Sequence, residues 1–471
     1  MITIKHGLCV LVVWATISLA SARAETPPTK TTRYNLHQLV QIAEKNYPGV
    51  KAAKHALDAM KRDLYRAKWA WLPQGQLRGF VAPSPEVFCV DANGDRDATG
   101  AQCVSTTREL DAKDFNIAGI MARIELEVGM PLYTFDKIGS AKRAATAGVQ
   151  AKQAQVYQAT DELMLNVTKA YWGVKLAREF LHTIKTGREF LDQAIERIAK
   201  ELDEGEGEST LTDLLRLKTH TAEIDSRTLQ AKNLEKIALA GVSALTGMKN
   251  ETFDIDPEPL SLVENKLSPF NEIFGLAQLH RPEIAMLAAA KRASQAQADL
   301  EKAKFFPDFL LVASVGAAYT SSADDPTHGF LYDPFNFAAA GFGLAMHWNL
   351  DTVQQYGRYK KAQSQGEEIN AKQAEGLRGI ELEIYKIYLD LKESMDRLKI
   401  TEKGQKSARQ WLVATSQNLE AGLCESKELT DSLVSFFLLR LQHLQAIFEV
   451  NVGWAKLAKA IGFSNSQQEG N

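Results

Sequence analysis

Between Ala118 and Val128 the chain alternates. Ala118, Ile120, Ala122, Ile124, Leu126 and Val128 fall on one side, and Gly119, Met121, Arg123, Glu125 and Glu127 on the other. A period of two defines a strand with one apolar face and one wet face. Pro131 is expected to break the run. From Asp136 the chain is rich in Ala, Lys and Gln, with no further proline before Asp203. That predicts a single helix of about 67 residues, roughly 100 Å long at 1.5 Å per residue, against an average of about 11–12 residues in globular proteins.

The rest of the pattern brackets this pair of elements. Glu25–Arg33 reads as an extended lead-in, Asn35–Trp71 as a helix stopped by Pro73, Gln74–Pro83 as a strand and Ser84–Asp114 as a long polar loop. After the long helix come a tip at Asp203–Ser209, a return helix over Leu211–Thr246 and a proline-bearing linker, Met248–Pro269. The order then repeats: a helix over Phe270–Phe305, a strand over Leu310–Tyr319, a loop over Thr320–Pro334 and a strand over Phe342–Leu350. A second long helix, Asp351–Ala421, a tip at Gly422–Lys427 and a last helix to about Ile461 follow. Pro48 and Pro73 map onto Pro282 and Pro307 by one offset, since 282 − 48 and 307 − 73 both equal 234. Tyr47-Pro48-Gly49-Val50 parallels Arg281-Pro282-Glu283-Ile284, and Tyr171 parallels Tyr388. The chain is therefore read as an internal duplication of a helix–strand–strand–long helix–tip–helix unit. The expected boundaries are a signal segment at 1–24, a first repeat at 25–247, a linker at 248–269, a second repeat at 270–463 and a tail at 464–471.

Two copies supply four strands, half of the ~8 that close the smallest membrane barrel. Left open in lipid, their edges would be unsatisfied. Either the strands lie outside a membrane, or several protomers share one barrel. Their length of about ten residues suits a tilted outer-membrane strand. Trp71, Tyr133 and Trp348 at the strand ends fit an interfacial aromatic girdle, or else ordinary core positions.

The N-terminus reads as a secretory signal. It has Lys5 and His6, an apolar run Leu8–Leu19, and the small-x-small site Ala22-Arg23-Ala24. No later apolar run reaches the ~18 residues of a membrane-spanning helix. Cleavage before Glu25 removes Lys5 and Arg23 from 55 basic residues, leaving 53 against 58 acidic ones, a net charge of −5. That mild charge gives no reason to expect nucleic-acid binding. In an oxidising compartment Cys89 and Cys103 form a local disulfide or remain two thiols, and Cys424 stands alone.

With these elements in order, the sequence resembles the TolC-type outer-membrane efflux proteins over nearly the whole mature chain. The resemblance is carried by Ala67-Lys68-Trp69-Ala70-Trp71-Leu72-Pro73 and Ala303-Lys304-Phe305-Phe306-Pro307, where a helix runs into a strand. It is carried also by Met130-Pro131-Leu132-Tyr133 and His347-Trp348-Asn349-Leu350, where a strand runs into a long helix, and by the hairpin tip Glu420-Ala421-Gly422-Leu423 followed by Glu428-Leu429-Thr430-Asp431. It implies a mainly α fold with a β-barrel part. Long antiparallel coiled-coil helices would join four transmembrane strands per protomer, and a homotrimer would share one twelve-stranded barrel. It implies an outer-membrane exit duct for efflux or type I secretion, set in outer-membrane lipid and reaching into the periplasm. A periplasmic adaptor and an inner-membrane pump would be its partners, with no cofactor and no catalysis. Arg78, Arg123, Glu125 and Glu127 would then line the barrel lumen, while Ile120, Ile124 and Leu126 face lipid. The tips, at Gly205, Gly207, Gly422 and Leu423, would meet the adaptor. Glu428 and Asp431, with Asp213 as a second layer, would form a periplasmic gate of carboxylates or else simply favour their helix N-termini. The tip Asp203-Glu204-Gly205-Glu206-Gly207-Glu208-Ser209 is more acidic than the family pattern, and Cys424-Glu425-Ser426-Lys427 lacks its small apolar run.

No nucleophile elbow, phosphate loop, zinc spacing or catalytic carboxylate pair is present in the sequence, and the nine histidines are scattered. Asp91-Ala92-Asn93-Gly94-Asp95-Arg96-Asp97 resembles an acidic calcium loop but lacks the bidentate Glu, so a solvated turn is the preferred reading. Two functions compete: a periplasmic coiled-coil adaptor or scaffold of an envelope complex, although such adaptors usually carry one helical hairpin, and a secreted enzyme with a helical accessory region, for which no site is visible in the sequence.

Overall fold

A computed structural model describes residues 32–84, 86–93, 95, 105–108, 119–205, 210–250, 252–324, 333–421, 423 and 426–462. The expected signal segment, the tail at 464–471, Gly207, Gly422, Cys103 and Cys424 lie outside the described residues.

After the short strand β1 (Thr32–Tyr34), Asn35 starts helix α1 (Leu36–Asn46) with a capping box. The Asn35 side chain accepts from the Gln38 amide at 2.9 Å, and the Gln38 side chain accepts from the Asn35 amide at 3.1 Å. The single helix expected over Asn35–Trp71 is in fact two. Tyr47 is extended, at φ −62° and ψ 124°, as a residue before proline tends to be, and Pro48 opens α2 (Pro48–Lys68).

Strand β2 (Gln74–Ser84) follows. The expected polar loop then holds a small antiparallel pair, β3 (Val87–Val90) with β4 (Ser105–Arg108). Strand β5 runs Gly119–Tyr133, so Pro131 does not end it; the register shifts between Pro131 and Tyr133 instead. A bulge accommodates a residue that has no amide hydrogen to donate. Phe135 and Asp136 turn the chain with φ of 48° and 68°, and α3 (Lys137–Glu204) begins. Its 68 residues match the expected length. It returns as α4 (Leu211–Thr246).

The linker is not featureless. Its strand β6 (Phe253–Ile255) pairs parallel with β1, and Phe253 and Ile255 are buried. The second repeat breaks its helix as the first does: α5 (Phe270–His280) stops at an extended Arg281, and Pro282 opens α6 (Pro282–Ala303). Strands β7 (Asp308–Thr320) and β8 (Phe337–His347) lead to α7 (Thr352–Glu420) and α8 (Ser426–Ile461). Strand β8 starts five residues before the expected Phe342, because Phe337–Gly341 is too small and uniform to show alternation. Trp348 and Leu350 fall past its end.

The duplication is visible in helix lengths: 11 and 11 residues, 21 and 22, 68 and 69, then 36 and 36. The two repeats share one antiparallel sheet in the order β2-β5-β7-β8, so the seam between them is the β5–β7 pair. Helix α3 packs along α2, α4, α6 and α8. Around the middle of α3, Leu163, Val167, Tyr171 and Val174 meet Leu39, Val242 and Leu444 in one core. Ile384, Leu391 and Val450 anchor its counterpart in the second repeat. A small third cluster, Leu191, Ile198 and Leu217, holds the first hairpin together near its tip.

Candidate functional site

The four-stranded sheet has two unlike faces, and the ladder registers fix which residues share each. Leu77 stands opposite Leu126, Leu126 opposite Val315, and Val315 opposite Ala340. This apolar face extends to Ile124, Tyr319, Phe342 and Leu344. All four are exposed, Phe342 to 89%. On the other face Arg78 stands opposite Glu125 and Gln76 opposite Glu127, with Ser314 and Gly316 beside them in β7. The sequence thus assigns Arg78, Arg123, Glu125 and Glu127 to one face and Ile120, Ile124 and Leu126 to the other, and the registers keep them so.

The polar face is hydrogen-bonded across strands. Arg78 Nη2 donates to Gln76 Oε1 at 3.1 Å, and Gln76 Nε2 donates to Glu127 Oε2 at 3.1 Å. Arg123 is ion-paired with Glu125, and its guanidinium lies 5.4 Å from the Phe337 ring centroid. Gln76, Arg78, Arg123, Glu125 and Glu127 line one depression of about 750 Å³. Strands β2 and β8 are the two sheet edges, each with a ladder partner on one side only.

Where the sheet meets the helices, aromatic rings gather. Tyr133, Phe135 and Phe306 stand with centroids 4.7 and 4.9 Å apart. Lys137 Nζ is 2.8 Å from Asp308 and donates to the Phe306 carbonyl at 2.9 Å. Trp71, Tyr133 and Trp348 are all exposed, so they are not core residues. Asp136 accepts from Arg143 at 2.8 Å and from Ser140 at 3.3 Å, and the Arg143 guanidinium holds its carboxyl below the usual range.

Midway along the helices lies a polar cluster that the sequence reading missed. Lys175 is 4% exposed; its Nζ donates to Asp256 at 2.5 Å and lies 5.0 Å from the Tyr171 ring. Tyr171 Oη donates to the same carboxylate at 2.7 Å. Burial works to raise the Asp256 pKa, but Lys175 and Tyr171 outweigh it and hold the carboxyl below its ordinary value. Arg178 bridges Asp254 at 2.5 Å and Glu235 at 2.9 Å. These contacts bind the linker to α3. The only signal for them was a lysine inside the apolar run Tyr171–Ala177.

At the far ends of the helices, Gly205 caps α3 in the left-handed region at φ 63°. Thr210 and Asp213 form a capping box at the start of α4, with Thr210 Oγ1 donating to Asp213 at 2.6 Å. Hydrogen bonds from Thr210 hold the Asp213 carboxyl below the ordinary range, helped by the charges of Arg216 and Lys427. Leu217 of α4 and Leu429 and Thr430 of α8 line one pocket, which sets the first turns of the two helices close together. Leu423, Glu428 and Asp431 are exposed. Among the described residues, no group of three or more His, Cys, Asp and Glu side chains is disposed to hold a metal ion.

Residues 273–463 match the family described as outer membrane efflux protein. The chain superposes on the outer-membrane channel OprN with a TM-score of 0.73 at 17% identity, covering 96% of this chain and 98% of that one. The fold is that of the TolC-type outer-membrane efflux proteins, and the second repeat belongs to their family. The outer membrane channel CmeC of Campylobacter jejuni gives a TM-score of 0.73 at 13% identity, over 98% and 97% of the two chains. VceC from Vibrio cholerae gives 0.70 at 18%, over 91% and 96%. The alkaline protease secretion protein AprF of Pseudomonas aeruginosa is 22% identical over 340 residues, 70% of this chain and 68% of that protein. The tips of α3–α4 and α7–α8 lie at the far ends of 68- and 69-residue helices that start beside the four-stranded sheet.

Past the end of β2, Cys89 is buried and disulfide-bonded. Its strand is held by Val87, which donates to the Ser322 carbonyl at 3.0 Å and accepts from the Asp324 amide at 2.9 Å. Asp91 Oδ1 accepts from the amides of Asn93 at 2.8 Å and Asp95 at 3.0 Å. Its acceptor capacity is therefore spent on shaping the turn.

Proposed function

We propose that this chain is the outer-membrane exit duct of a tripartite efflux or type I secretion system, passing substrates passively across the periplasm and outer membrane. One observation carries the reading. A four-stranded sheet exposes a continuous apolar face, keeps its ionisable side chains on the other, and has an open ladder on each edge strand. Water disfavours the apolar face and lipid disfavours the edges. Three protomers joined β2 to β8 resolve both, as a twelve-stranded barrel with apolar residues towards lipid. The scaffold reading has no use for such a face.

The homotrimer places Arg78, Arg123, Glu125 and Glu127 around the lumen and turns the tips near Gly205 and Leu423 towards a periplasmic adaptor and, through it, an inner-membrane pump. The pump rather than the duct would choose the cargo. AprF, by its name, serves protease secretion, which favours a polypeptide among the possible cargoes. The Cys89 disulfide, formed with Cys103, would brace the outer end. Glu428 and Asp431, on one face of α8 at spacing i, i+3, would repeat three times around the periplasmic opening. Asp213 is committed to its capping box and contributes less there.

The test is purification from the outer-membrane fraction in mild detergent. A stable trimer that conducts ions in planar bilayers is expected. A stable monomer, or a trimer without conductance, would overturn the reading.

A further inference from the structure

Four ionisable side chains stand on the lumen-assigned face of β2 and β5: Arg78, Arg123, Glu125 and Glu127, two of each sign. Strands β7 and β8 offer Ser314, Gly316, Gly341 and Gly343 to the same face, with no charge. The one further ionised residue of β7 on that face, Asp308, is matched by Lys137 at 2.8 Å. The four are also joined. Arg123 pairs with Glu125, Arg78 stands opposite Glu125, and Arg78 reaches Glu127 through Gln76 by two bonds of 3.1 Å. Opposite charges thus interleave within distances shorter than the ~8 Å screening length at physiological salt.

We infer that the barrel wall is a charge-balanced ladder that passes cations and anions alike, adding no charge preference of its own to the duct. The inference rests on the duct reading of the preceding section. The β7 and β8 half strengthens it: apart from Asp308, which Lys137 matches, and His347 at the strand end, it carries only uncharged side chains such as Leu310, Val312, Ser314 and Phe337, so the lumen potential depends on the four charges of the other half. Those sum to zero within each protomer, and therefore within any number of protomers. Removing one sign alone leaves two unbalanced charges per protomer, six in a trimer, facing a lumen whose low-dielectric wall focuses their field.

The test measures reversal potential in planar bilayers under a KCl gradient at about 0.01–0.1 M, where screening lengths are about 10–30 Å. It is done in the Glu428→Ala/Asp431→Ala background, so that the tips do not mask the barrel. The cation-to-anion permeability ratio with the native barrel is the reference. Arg78→Gln with Arg123→Gln should raise the ratio by about twofold or more, and Glu125→Gln with Glu127→Gln should lower it by a similar factor. The exchange Arg123→Glu with Glu125→Arg keeps the balance and should leave the ratio unchanged. If either one-sign variant fails to assemble, the other still tests the sign. A ratio that is the same in the assembled one-sign variants, or one that the charge exchange moves as far as they do, would overturn the ladder while leaving the duct in place. Absence of conductance from the unmodified trimer would overturn the duct reading as well.

Discussion

Ile124 is the position where the two-faced sheet can be tested most sharply. It stands opposite Gly79, the middle residue of β2 (Gln74–Ser84), and its side chain is 52% exposed on the face it shares with Leu126 and Val315. If that face meets lipid, Ile124→Arg puts a guanidinium near the bilayer midplane at a cost of about 2–4 kcal/mol. A trimer carries the change three times, so about 6–12 kcal/mol is lost for the assembly. Ser314→Arg is the matched control. Ser314 is exposed on the other face, opposite Glu127 and Gly341, where an arginine gains a carboxylate and has room. Its effect should stay within the ~0.5 kcal/mol usual for surface changes. The assay is trimer yield in the outer-membrane fraction, with the trimer-to-monomer dissociation temperature on gels. Strong loss for Ile124→Arg beside near-normal Ser314→Arg is expected. Equal tolerance, or greater loss for Ser314→Arg, would refute the face assignment.

Lys175→Met should cost about 3–5 kcal/mol, because it takes the buried cation from a partly buried Asp256 carboxylate and leaves that group Tyr171 and the Glu258 backbone; thermal dissociation of the trimer reads it, and a shift within error would show the pair to be dispensable. Asp213→Ala should cost about 0.5–2 kcal/mol as a lost cap. Because the folded Asp213 pKa lies below its ordinary 3.8, the margin over the variant should be full at neutral pH and close as pH falls below that value; urea unfolding at pH 7 and at lower pH checks the sign. Non-reduced peptide mapping should find Cys89 linked to Cys103. Replacing both by Ser should cost at most about 3 kcal/mol for a loop of about 15 residues and leave export intact.

The sequence made the fold legible where periodicity was strong. The long helices, the β5 faces and the repeat could be read because 68 residues without proline, or five alternating pairs, leave little choice. Breaks at Tyr47–Pro48 and Arg281–Pro282 were overlooked although the proline was noted, because the helical pattern resumes at once on the far side. The start of β8 was missed because Ala338–Gly341 put only Ala and Gly on both faces, which erases the contrast on which a period depends. Strands of three or four residues, β1, β3, β4 and β6, carry no period at all. They are stabilised by pairing with distant segments, as Thr32 pairs with Phe253. The candidate site divides in the same way. The charged face of the sheet followed from alternation, whereas the Lys175–Asp256 cluster needed the linker to be folded back onto α3, which no local pattern encodes.

The sheet also constrains how the molecule reaches its final state. A protomer folded alone in water would expose Leu77, Ile124, Phe342 and Leu344 on a flat face, beside two edges ready to pair. That combination favours aggregation. Moving the same protomer into lipid satisfies the face but leaves the β2 and β8 edges without partners, at several kcal/mol for each unmet group. Neither step is favourable by itself, so insertion and assembly must be coupled. The helical part is different: its cores around Val167, Ile384 and Leu191 close within one chain. Stability should therefore divide along the molecule. The helices can form in the single protomer, while on the duct reading the barrel would exist only as a property of the oligomer and depend on its concentration and on lipid. A hydrogen-exchange comparison of unassembled and assembled protein should then show protection in α3 and α7 in both states, and in β2 and β8 only in the second.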